Sequence, residues 1–384
     1  MKSISEIKKR LAEGKAVVIT AEQASRLAKT KSNSEIYKEV DVVTTATFAP
    51  MCSSGCFLNF GNLDLPIRME KILLNGVPAH GGLAAADTYL GAAAENPNNP
   101  GYGGAHVICD LIAGKSVCLE AQGKGTACYP RKEVKTYFTL EDINQAYLYN
   151  PRNAYQNYPV AINTSDNDIY TYMGRLNANV GNASYSSAGE LSPLLNDPKM
   201  RTIGVGSRVF LAGARGYVSW QGTQYDNQRE ENEYGIPMVQ SATLALIGDM
   251  KKMDARFVKP LVLKKYGVSL FVGVGIPIPV LDEEIAGNVS IGNENIDTYV
   301  RDYSMVGHPV VCKTNYAELF SGEITLQGQK VKTFTFSNLE KAREIAEILK
   351  SNLQEGLFQI TEPVELFQDK VVQKPLLLRE KDER

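Results

Sequence analysis

The sequence lacks the features that mark membrane, secreted and nucleic-acid-binding proteins. No segment approaches the roughly 18 uninterrupted apolar residues that span a bilayer, because the longest apolar runs, around residues 268–280, contain Gly and Pro. The formal net charge is only −2, which leaves no basic excess to attract nucleic acid or an acidic membrane. No signal-peptide core follows the first lysine, so we expect a cytoplasmic protein that keeps its thiols reduced.

Several catalytic and metal-binding signatures are also missing. The three histidines, His80, His106 and His308, are far apart in the chain, and no Cys-x-x-Cys or His-x-x-x-His pair predicts a zinc site. There is no Walker lysine motif and no nucleophile elbow, and Gly273-Val-Gly275 lacks the third glycine and the helix of a dinucleotide site. These absences argue against a zinc enzyme, a P-loop NTPase, a serine hydrolase and a Rossmann dehydrogenase.

The loop around Cys128 is the strongest indication of a catalytic residue in the sequence. Cys128 follows the Gly-rich run 123–127, with Lys124, Arg131 and Lys132 close in sequence. Cationic neighbours lower the pKa of a thiol and make it nucleophilic near neutral pH. The segment therefore predicts a nucleophilic Cys128, with an ordinary loop cysteine as the alternative.

A second pair of cysteines, Cys52 and Cys56, lies in a turn of small residues directly after a predicted strand. Backbone N–H groups at such a turn can stabilise a thiolate or an anionic intermediate. The Cys-x-x-x-Cys spacing could also supply two ligands of an iron–sulfur cluster. A third interpretation is that both cysteines are buried and chemically inert.

The other cysteines and the histidines give weaker signals. Cys109, Cys118 and Cys312 lie among apolar residues, which indicates small side chains in the core. His80 and His106 border glycines, where an imidazole can line a pocket as an acid or base, although a structural role is the alternative for each.

Hydrophobic periodicity predicts an α/β fold. Strands and helices alternate through about residue 150, which favours a largely parallel or mixed sheet. The predicted strands of this part are 16–20, 41–47 and 116–121, and the predicted helices are a capped helix from Ser3, then 21–29, 106–113 and 139–149.

The remainder of the chain predicts a β-rich insertion and a small terminal unit. Residues 163–225 are β-rich, with strands and hairpins at 168–176 and 201–221, and are followed by a strand at 242–249, a helix at 254–266 and a strand at 268–280. A hairpin at 323–336, a helix capped by Ser337-x-x-Glu340 and ended by Gly356, and a strand at 357–367 form a ββαβ unit. We therefore predict a mixed-sheet catalytic domain over 1–320 and a C-terminal α/β unit with a frayed tail over 321–384.

Seven segments, in combination, resemble a known family: the homocysteine biosynthesis proteins, or L-aspartate semialdehyde sulfurtransferases, of methanogenic archaea and anaerobic bacteria. Two of the segments contain Met51-Cys52-Ser-Ser-Gly and Cys128-Tyr-Pro-Arg131-Lys132. The resemblance covers roughly residues 1–320, and its segments are 46–61, 81–89, 102–106, 128–132, 150–157, 209–217 and 222–224.

The resemblance implies formation of L-homocysteine, a precursor of methionine, from L-aspartate semialdehyde and sulfide-level sulfur. It points to Cys52 and Cys128 as the two cysteines of interest, with Cys128 as the persulfide carrier. We expect Cys52 to act as the resolving thiol, whose attack leaves a Cys52–Cys128 disulfide for an external reductant. We expect His106 to donate a proton to the departing oxygen. The expected substrate-binding residues are Arg131, which would hold the anionic sulfur, and Arg152 and Arg68, which are candidates for the carboxylate.

The resemblance also raises questions about cofactors and partners. Larger members carry paired CBS modules and a ferredoxin-like segment that this sequence does not show, so we expect a separate ferredoxin-like electron donor and a sulfide or persulfide donor. Cys56 and Tyr225 stand where many members have a small residue and a histidine. Two alternatives stay open. One is a 4Fe-4S cluster held by Cys52, Cys56 and Cys128, and the other is a non-catalytic sulfur carrier. A homo-oligomer is also compatible with the sequence.

Overall fold

The computed structural model describes residues 1–153 and 156–378. Residues 154–155, within the segment 150–157, and the end of the tail at 379–384 lie outside this description. The α-helices are α1 (Ile4–Ala12), α2 (Ala21–Ala28), α3 (Asn33–Glu39), α4 (Gly104–Ile112), α5 (Pro193–Asn196), α6 (Glu283–Asn288), α7 (Tyr316–Phe320) and α8 (Leu339–Gln354). None of the helices in the described ranges is long and apolar enough to cross a membrane.

Strands make up most of the regular structure. In chain order they are β1 (Val18–Thr20), β2 (Val42–Pro50), β3 (Gly55–Asn59), β4 (Lys71–Leu74), β5 (Val77–His80), β6 (Asp87–Gly91), β7 (Val117–Gln122), β8 (Glu133–Phe138), β9 (Gln145–Asn150), β10 (Val160–Ile162), β11 (Ile169–Thr171), β12 (Gly174–Leu176), β13 (Ala183–Tyr185), β14 (Gly204–Val205), β15 (Arg208–Leu211), β16 (Ala214–Gln221), β17 (Leu244–Asp249), β18 (Val258–Leu263), β19 (Gly267–Pro279), β20 (Asp297–Asp302), β21 (Val310–Asn315), β22 (Glu323–Leu326), β23 (Gln329–Thr335) and β24 (Glu365–Leu366).

One large sheet contains fourteen of the described strands. Its order is β1-β2-β19-β15-β16-β17-β9-β3-β6-β5-β4-β7-β8, and β18 also pairs with β19. The pair β1–β2 is parallel, whereas the neighbouring pair β2–β19 is antiparallel over nine residue pairs. The α/β class with a mixed sheet is therefore confirmed, and short hairpins such as β4–β5 and β15–β16 explain why antiparallel pairing dominates.

A second sheet contains six strands in the order β21-β20-β10-β13-β23-β22. The predicted hairpin at 323–336 is confirmed as β22–β23, and β23 pairs in parallel with β13. The helix predicted after it is α8, which begins after an Asn338 cap rather than at Ser337 and packs on β2 and β19. The division of the chain into 1–320 and 321–384 stays a prediction.

The contact between α8 and the large sheet depends on glycine. A Cβ atom added to Gly273 of β19 would lie 2.8 Å from Cδ1 of Ile345, so a larger residue would force the side chain of Ile345 to shift. Across the same contact, Oγ1 of Thr44 donates a hydrogen bond to the carbonyl of Ala346 (3.0 Å), which satisfies a hydroxyl that lies in the core.

Three predicted elements are wrong. The helix predicted at 139–149 is a 3₁₀ turn (Leu140–Asp142) followed by β9, whose exposed and buried residues alternate as strand pairing requires. The helix predicted at 254–266 is a 3₁₀ turn (Ala255–Phe257) followed by β18, which pairs with β19 along its whole length. In the segment of the last predicted strand, 357–367, the observed strand is β24, which has two residues and pairs with β14.

Candidate active site

Cys52 lies in the turn that joins β2 to β3, at one end of the large sheet. Its thiol-bearing side chain is exposed. The turn is tight because the N–H of Ser54 donates to the carbonyl of Met51 (3.0 Å), and it is fixed to β19 because the N–H of Met51 donates to Leu270 (2.7 Å).

The end of β9 and the residues that follow it hold the same turn from the other side. The side-chain amides of Asn150 and Asn153 donate to the sulfur of Met51 at 2.9 and 3.1 Å. The hydroxyl of Ser53 donates to the carbonyl of Arg152 (3.1 Å). These contacts place Cys52 and Arg152 beside each other.

Cys52 and Arg152 open into a cleft of about 430 Å³, a volume typical of a site for a small ligand. Among the described residues that line it, Arg152 is the one with a full positive charge. A hydrogen bond from Arg152 to Gln224 orients its guanidinium group. Besides Gln224, the other polar residues in the lining are Ser53, Asn153, Tyr158, Tyr172, Ser186, Gln240, Tyr266 and Ser269.

Three tyrosines, Tyr158, Tyr172 and Tyr266, form one wall of the cleft, and Tyr266 is 45% exposed. Burial raises the pKa of Tyr266, and the nearby Cys52 and Tyr172 raise it further, whereas Arg152 opposes them. Burial also raises the pKa of Tyr158, and Tyr172 shares a hydrogen bond with Tyr303 at 2.8 Å. The hydroxyls of Tyr158 and Tyr266 therefore stay protonated at neutral pH and can donate hydrogen bonds to a ligand.

Cys128 lies in the loop that joins β7 to β8, and it is also exposed. Mutual backbone hydrogen bonds between Thr126 and Tyr129 shape the loop tip. Arg131 donates to the backbone carbonyls of Asp64 (2.8 Å) and Leu65 (3.0 Å), so its guanidinium group anchors the loop on the segment after β3. Arg68 belongs to the same segment, and its carbonyl lies against Gly123.

The strand registers place Cys52 and Cys128 at opposite ends of the large sheet. β3 begins at Gly55, near the Cys52 turn, and ends at Asn59, which pairs with Asp87. The registers of β6, β5 and β4 align Phe57, in the middle of β3, with Gln122 at the end of β7, where the Cys128 loop begins. The offset is about 7 Å along β3, from Gly55 to Phe57, and about 19 Å across four strand spacings. Because Cys52 precedes the start of β3 and Cys128 follows the end of β7, which runs in the same direction, the thiols lie on the order of 20 Å or more apart. A single chain does not bring them together.

The remaining four cysteines are less accessible. Cys56 is fully buried in β3, and burial raises its pKa to about 12. Burial, and then Asp110, raises the pKa of Cys109 to about 12, and the thiols of Cys118 and Cys312 also have raised pKa values because of burial. Such thiols stay protonated and poorly nucleophilic at neutral pH.

Within the described ranges, no group of three or more Cys, His, Asp or Glu residues is placed to hold a metal. The proposed ligand set Cys52, Cys56 and Cys128 does not fit one cluster in a single chain, because Cys56 points into the core and the other two thiols lie at opposite ends of the sheet.

His106 lies near the Cys52 turn but outside the lining of the cleft. It is in the first turn of α4, and backbone hydrogen bonds from Ala105 to Ala92 and from Ala92 to Ser54 connect that turn to Cys52. Its Nδ1 accepts a hydrogen bond from Gly103 (3.1 Å), and burial lowers its pKa despite the opposing charge of Asp110. The neutral ring therefore carries its proton on Nε2.

The predicted site residues thus fall into two groups. Cys52 and Arg152 share the cleft, with His106 behind it, whereas Cys128, Arg131 and Arg68 lie at the other end of the sheet. Sequence reasoning missed Gln240 and Tyr266, which come from loops distant in sequence and carry no local motif. Gln224 belongs to a segment that carries the family resemblance, which was the one signal for it. Tyr225 is buried against Phe367 and does not line the cleft.

An α/β protein with an exposed thiol and an arginine in one cleft has the arrangement of an enzyme that transfers a group through cysteine. Residues 16–360 match the family described as homocysteine biosynthesis enzyme, sulfur-incorporation. The chain belongs to this family, which confirms the resemblance found in the sequence.

The relatives include two proteins named L-aspartate semialdehyde sulfurtransferase. The one from Methanocaldococcus jannaschii is 44% identical over 98% of this chain and 76% of its own length. The one from Methanosarcina acetivorans is 44% identical over 95% of this chain and 71% of its own length. An uncharacterised protein from Methanothermobacter thermautotrophicus is 28% identical over 84% of this chain. No solved structure gives a significant match.

Proposed function

We propose that the protein is an L-aspartate semialdehyde sulfurtransferase that forms L-homocysteine from the aldehyde and sulfide-level sulfur. The observation that carries the proposal is the exposed Cys52 thiol beside Arg152 in a cleft of small-ligand size. The names of the two relatives that are 44% identical supply the substrate, and the description of the family supplies the product.

Arg152 binds the α-carboxylate of the substrate in this proposal. A guanidinium group pairs with a carboxylate through two parallel hydrogen bonds. The hydrogen bond to Gln224 fixes the plane of the Arg152 guanidinium group and therefore the direction of those two bonds. The side chain of the bound amino acid then extends toward Cys52, and the protonated tyrosines supply donors for the aldehyde oxygen. His106, whose Nε2 carries a proton, is proposed to return a proton to the departing oxygen through this polar wall.

The net reaction determines how many electrons a reductant must supply. Aldehyde, hydrogen sulfide, two electrons and two protons give a thiol and water. Sulfide opens a disulfide between Cys128 and Cys52, which leaves a persulfide on Cys128 and a thiolate on Cys52. The terminal sulfur of the persulfide adds to the aldehyde carbon, and the aldehyde oxygen takes a proton.

The second half of the cycle uses Cys52. Its thiolate attacks Sγ of Cys128, re-forms the disulfide and expels the substrate-bound sulfur as a thiolate, which loses water to give a thioaldehyde. A dithiol or a separate ferredoxin-like protein then supplies two electrons, and two protons complete homocysteine. The exposure of these two thiols, in contrast to the other four, supports their assignment as carrier and resolving thiol.

Homocysteine formation by the purified chain tests the proposal. Aspartate semialdehyde, sulfide and a dithiol reductant are supplied, and homocysteine is measured by mass spectrometry after thiol alkylation. We expect Cys52→Ser and Cys128→Ser to lose at least 100-fold in rate, about 3 kcal/mol or more of transition-state stabilisation. Cys312→Ser, which changes a half-buried thiol in the second sheet, is the matched control and keeps its activity.

Two outcomes would contradict parts of this account. Wild-type rates in both Cys52→Ser and Cys128→Ser would refute sulfur transfer through these thiols. A chain that takes up sulfur but never forms homocysteine would be a sulfur carrier rather than an enzyme. Anaerobic purification with iron analysis and an absorbance spectrum tests the cluster alternative, and iron-free, fully active protein would exclude it.

A further inference from the structure

We propose that the sulfur-transfer site is assembled between two copies of this chain, with the Cys52 cleft of one protomer facing the partner's Cys128. The proposal rests on the proposed function, which requires both thiols at one sulfur atom. A disulfide or a thiolate attack needs the two Cα atoms within about 7 Å, whereas the strand registers hold Cys52 and Cys128 at opposite ends of the sheet.

Neither thiol can cross the sheet by a loop movement alone. The Cys128 loop is closed by a hydrogen bond from Gly123 to Lys132 (2.8 Å) and anchored by Arg131 on the carbonyls of Asp64 and Leu65. Cys52 is one residue from Met51, which is bonded to Leu270, Asn150 and Asn153. A change of strand register would turn core side chains outward, so the sheet cannot slide to close the gap.

Both thiols are instead accessible to a second molecule. Cys128 lies near the tip of a projecting loop, and Cys52 opens into a cleft. A projection at one end of the sheet and a concavity at the other are complementary shapes. A two-fold axis lying in the face of the sheet can place the Cys128 end of one copy over the Cys52 end of the other, and the same contact then forms twice.

The large sheet offers a surface for such a contact. Strands β16, β17, β9, β3, β6, β5, β4, β7 and β8 turn one face toward solvent, which we call the open face. Register places Phe57 between Tyr89 and Tyr147, and Tyr149, Ile247 and Tyr217 in the adjacent row. Further along β16 is Trp220, and β8 at the edge of the sheet adds Tyr137.

The exposed aromatic area on the open face fits a dimer contact. Phe57, Tyr137, Tyr147, Tyr217 and Trp220 are exposed by between 37% and 68%. At roughly 200 Å² for each whole side chain, they present roughly 500 Å², over half of the approximately 800 Å² that each partner buries in a stable interface. The open face extends from the Cys52 end to the Cys128 end, so a second copy packed on it lies beside both.

Paired inactive variants test the shared site. Cys52→Ser and Cys128→Ser chains, each with its own tag, are co-expressed and purified through both tags in succession. The mixed dimer then holds one site with both thiols and one with neither, so we expect about half of the wild-type activity per dimer, although each variant alone is inactive. Failure to recover a mixed dimer, or a folded mixed dimer without activity, overturns the shared site.

The same measurement separates the two proposals. If either variant alone keeps wild-type activity, the proposed role of that thiol fails, whatever the oligomeric state. If both variants alone are inactive and the mixed dimer is inactive as well, only the shared site fails.

The open face has its own test by sedimentation. Phe57→Arg places a charge in the centre of the open face, and we expect monomers without sulfurtransferase activity. Phe334→Arg is the matched control, because Phe334 is an exposed aromatic residue on β23 of the second sheet, and it should leave both the dimer and the activity unchanged. Monomeric wild-type protein with full activity would overturn the proposal.

Discussion

Burial separates the six thiols into two kinds at the scale of single residues. Cys56 and Cys109 have pKa values raised to about 12 because low-dielectric surroundings disfavour the thiolate, whereas Cys52 and Cys128 are exposed. Sequence reasoning identified Cys52 and Cys128 because loops rich in Gly and small residues flank them. It could not rank Cys56, since the direction in which a strand residue points depends on register.

Arg152 is the residue whose charge the substrate should need most. We expect Arg152→Gln to raise KM for aspartate semialdehyde by roughly 10- to 100-fold, because a charge-assisted hydrogen bond contributes about 1.5–3 kcal/mol. Steady-state kinetics measures the change, with the exposed Arg26→Gln on α2 as the control. An unchanged KM in Arg152→Gln would show that Arg152 does not bind the carboxylate of the substrate.

At the scale of elements, the first helix is fastened to the large sheet by a buried carboxylate. Asp41, which precedes β2, is almost fully buried and pairs with Lys2 (3.1 Å) and Arg10 (3.0 Å). One oxygen also accepts a hydrogen bond from the N–H of Val17 (2.9 Å), next to β1. A single side chain thus connects α1, β1 and β2.

Removing this charge should destabilise the fold. We expect Asp41→Asn to lower the free energy of unfolding by about 2 kcal/mol, because both cations lose their partner while remaining partly exposed. Urea denaturation measures the change. Glu13→Gln removes an exposed ion pair with Lys15 and should change the stability by less than about 0.5 kcal/mol. Equal effects of the two substitutions would show that burial of Asp41 adds nothing.

The sequence predicted long elements better than short ones. β19 and α8 are close to their predicted positions because apolar periodicity over many residues determines them. The segments 139–149 and 254–266 were predicted as helices, but β9 and β18 form there because neighbouring strands offer hydrogen-bond partners that local propensity does not reveal. The cleft could be predicted only in part, since Gln240 and Tyr266 reach it through tertiary packing.

At the scale of the whole molecule, the two reactive cysteines pose a problem of distance. Their chemistry could be inferred from local sequence and family resemblance, but their separation depends on the order of strands in a sheet that connects residues far apart in the chain. The sheet that separates the thiols also carries the open face, so assembly of two copies would resolve the separation and cover its aromatic surface.

The most direct test of sulfur transfer through cysteine is to trap the sulfur during turnover. The enzyme is supplied with sulfide, quenched with an alkylating reagent, digested and analysed by mass spectrometry for persulfide on each cysteine. The account predicts persulfide on the Cys128 peptide and its disappearance when aspartate semialdehyde and a two-electron reductant are added, in step with homocysteine formation. Homocysteine formed at the wild-type rate with no sulfur ever carried by Cys128 would contradict it.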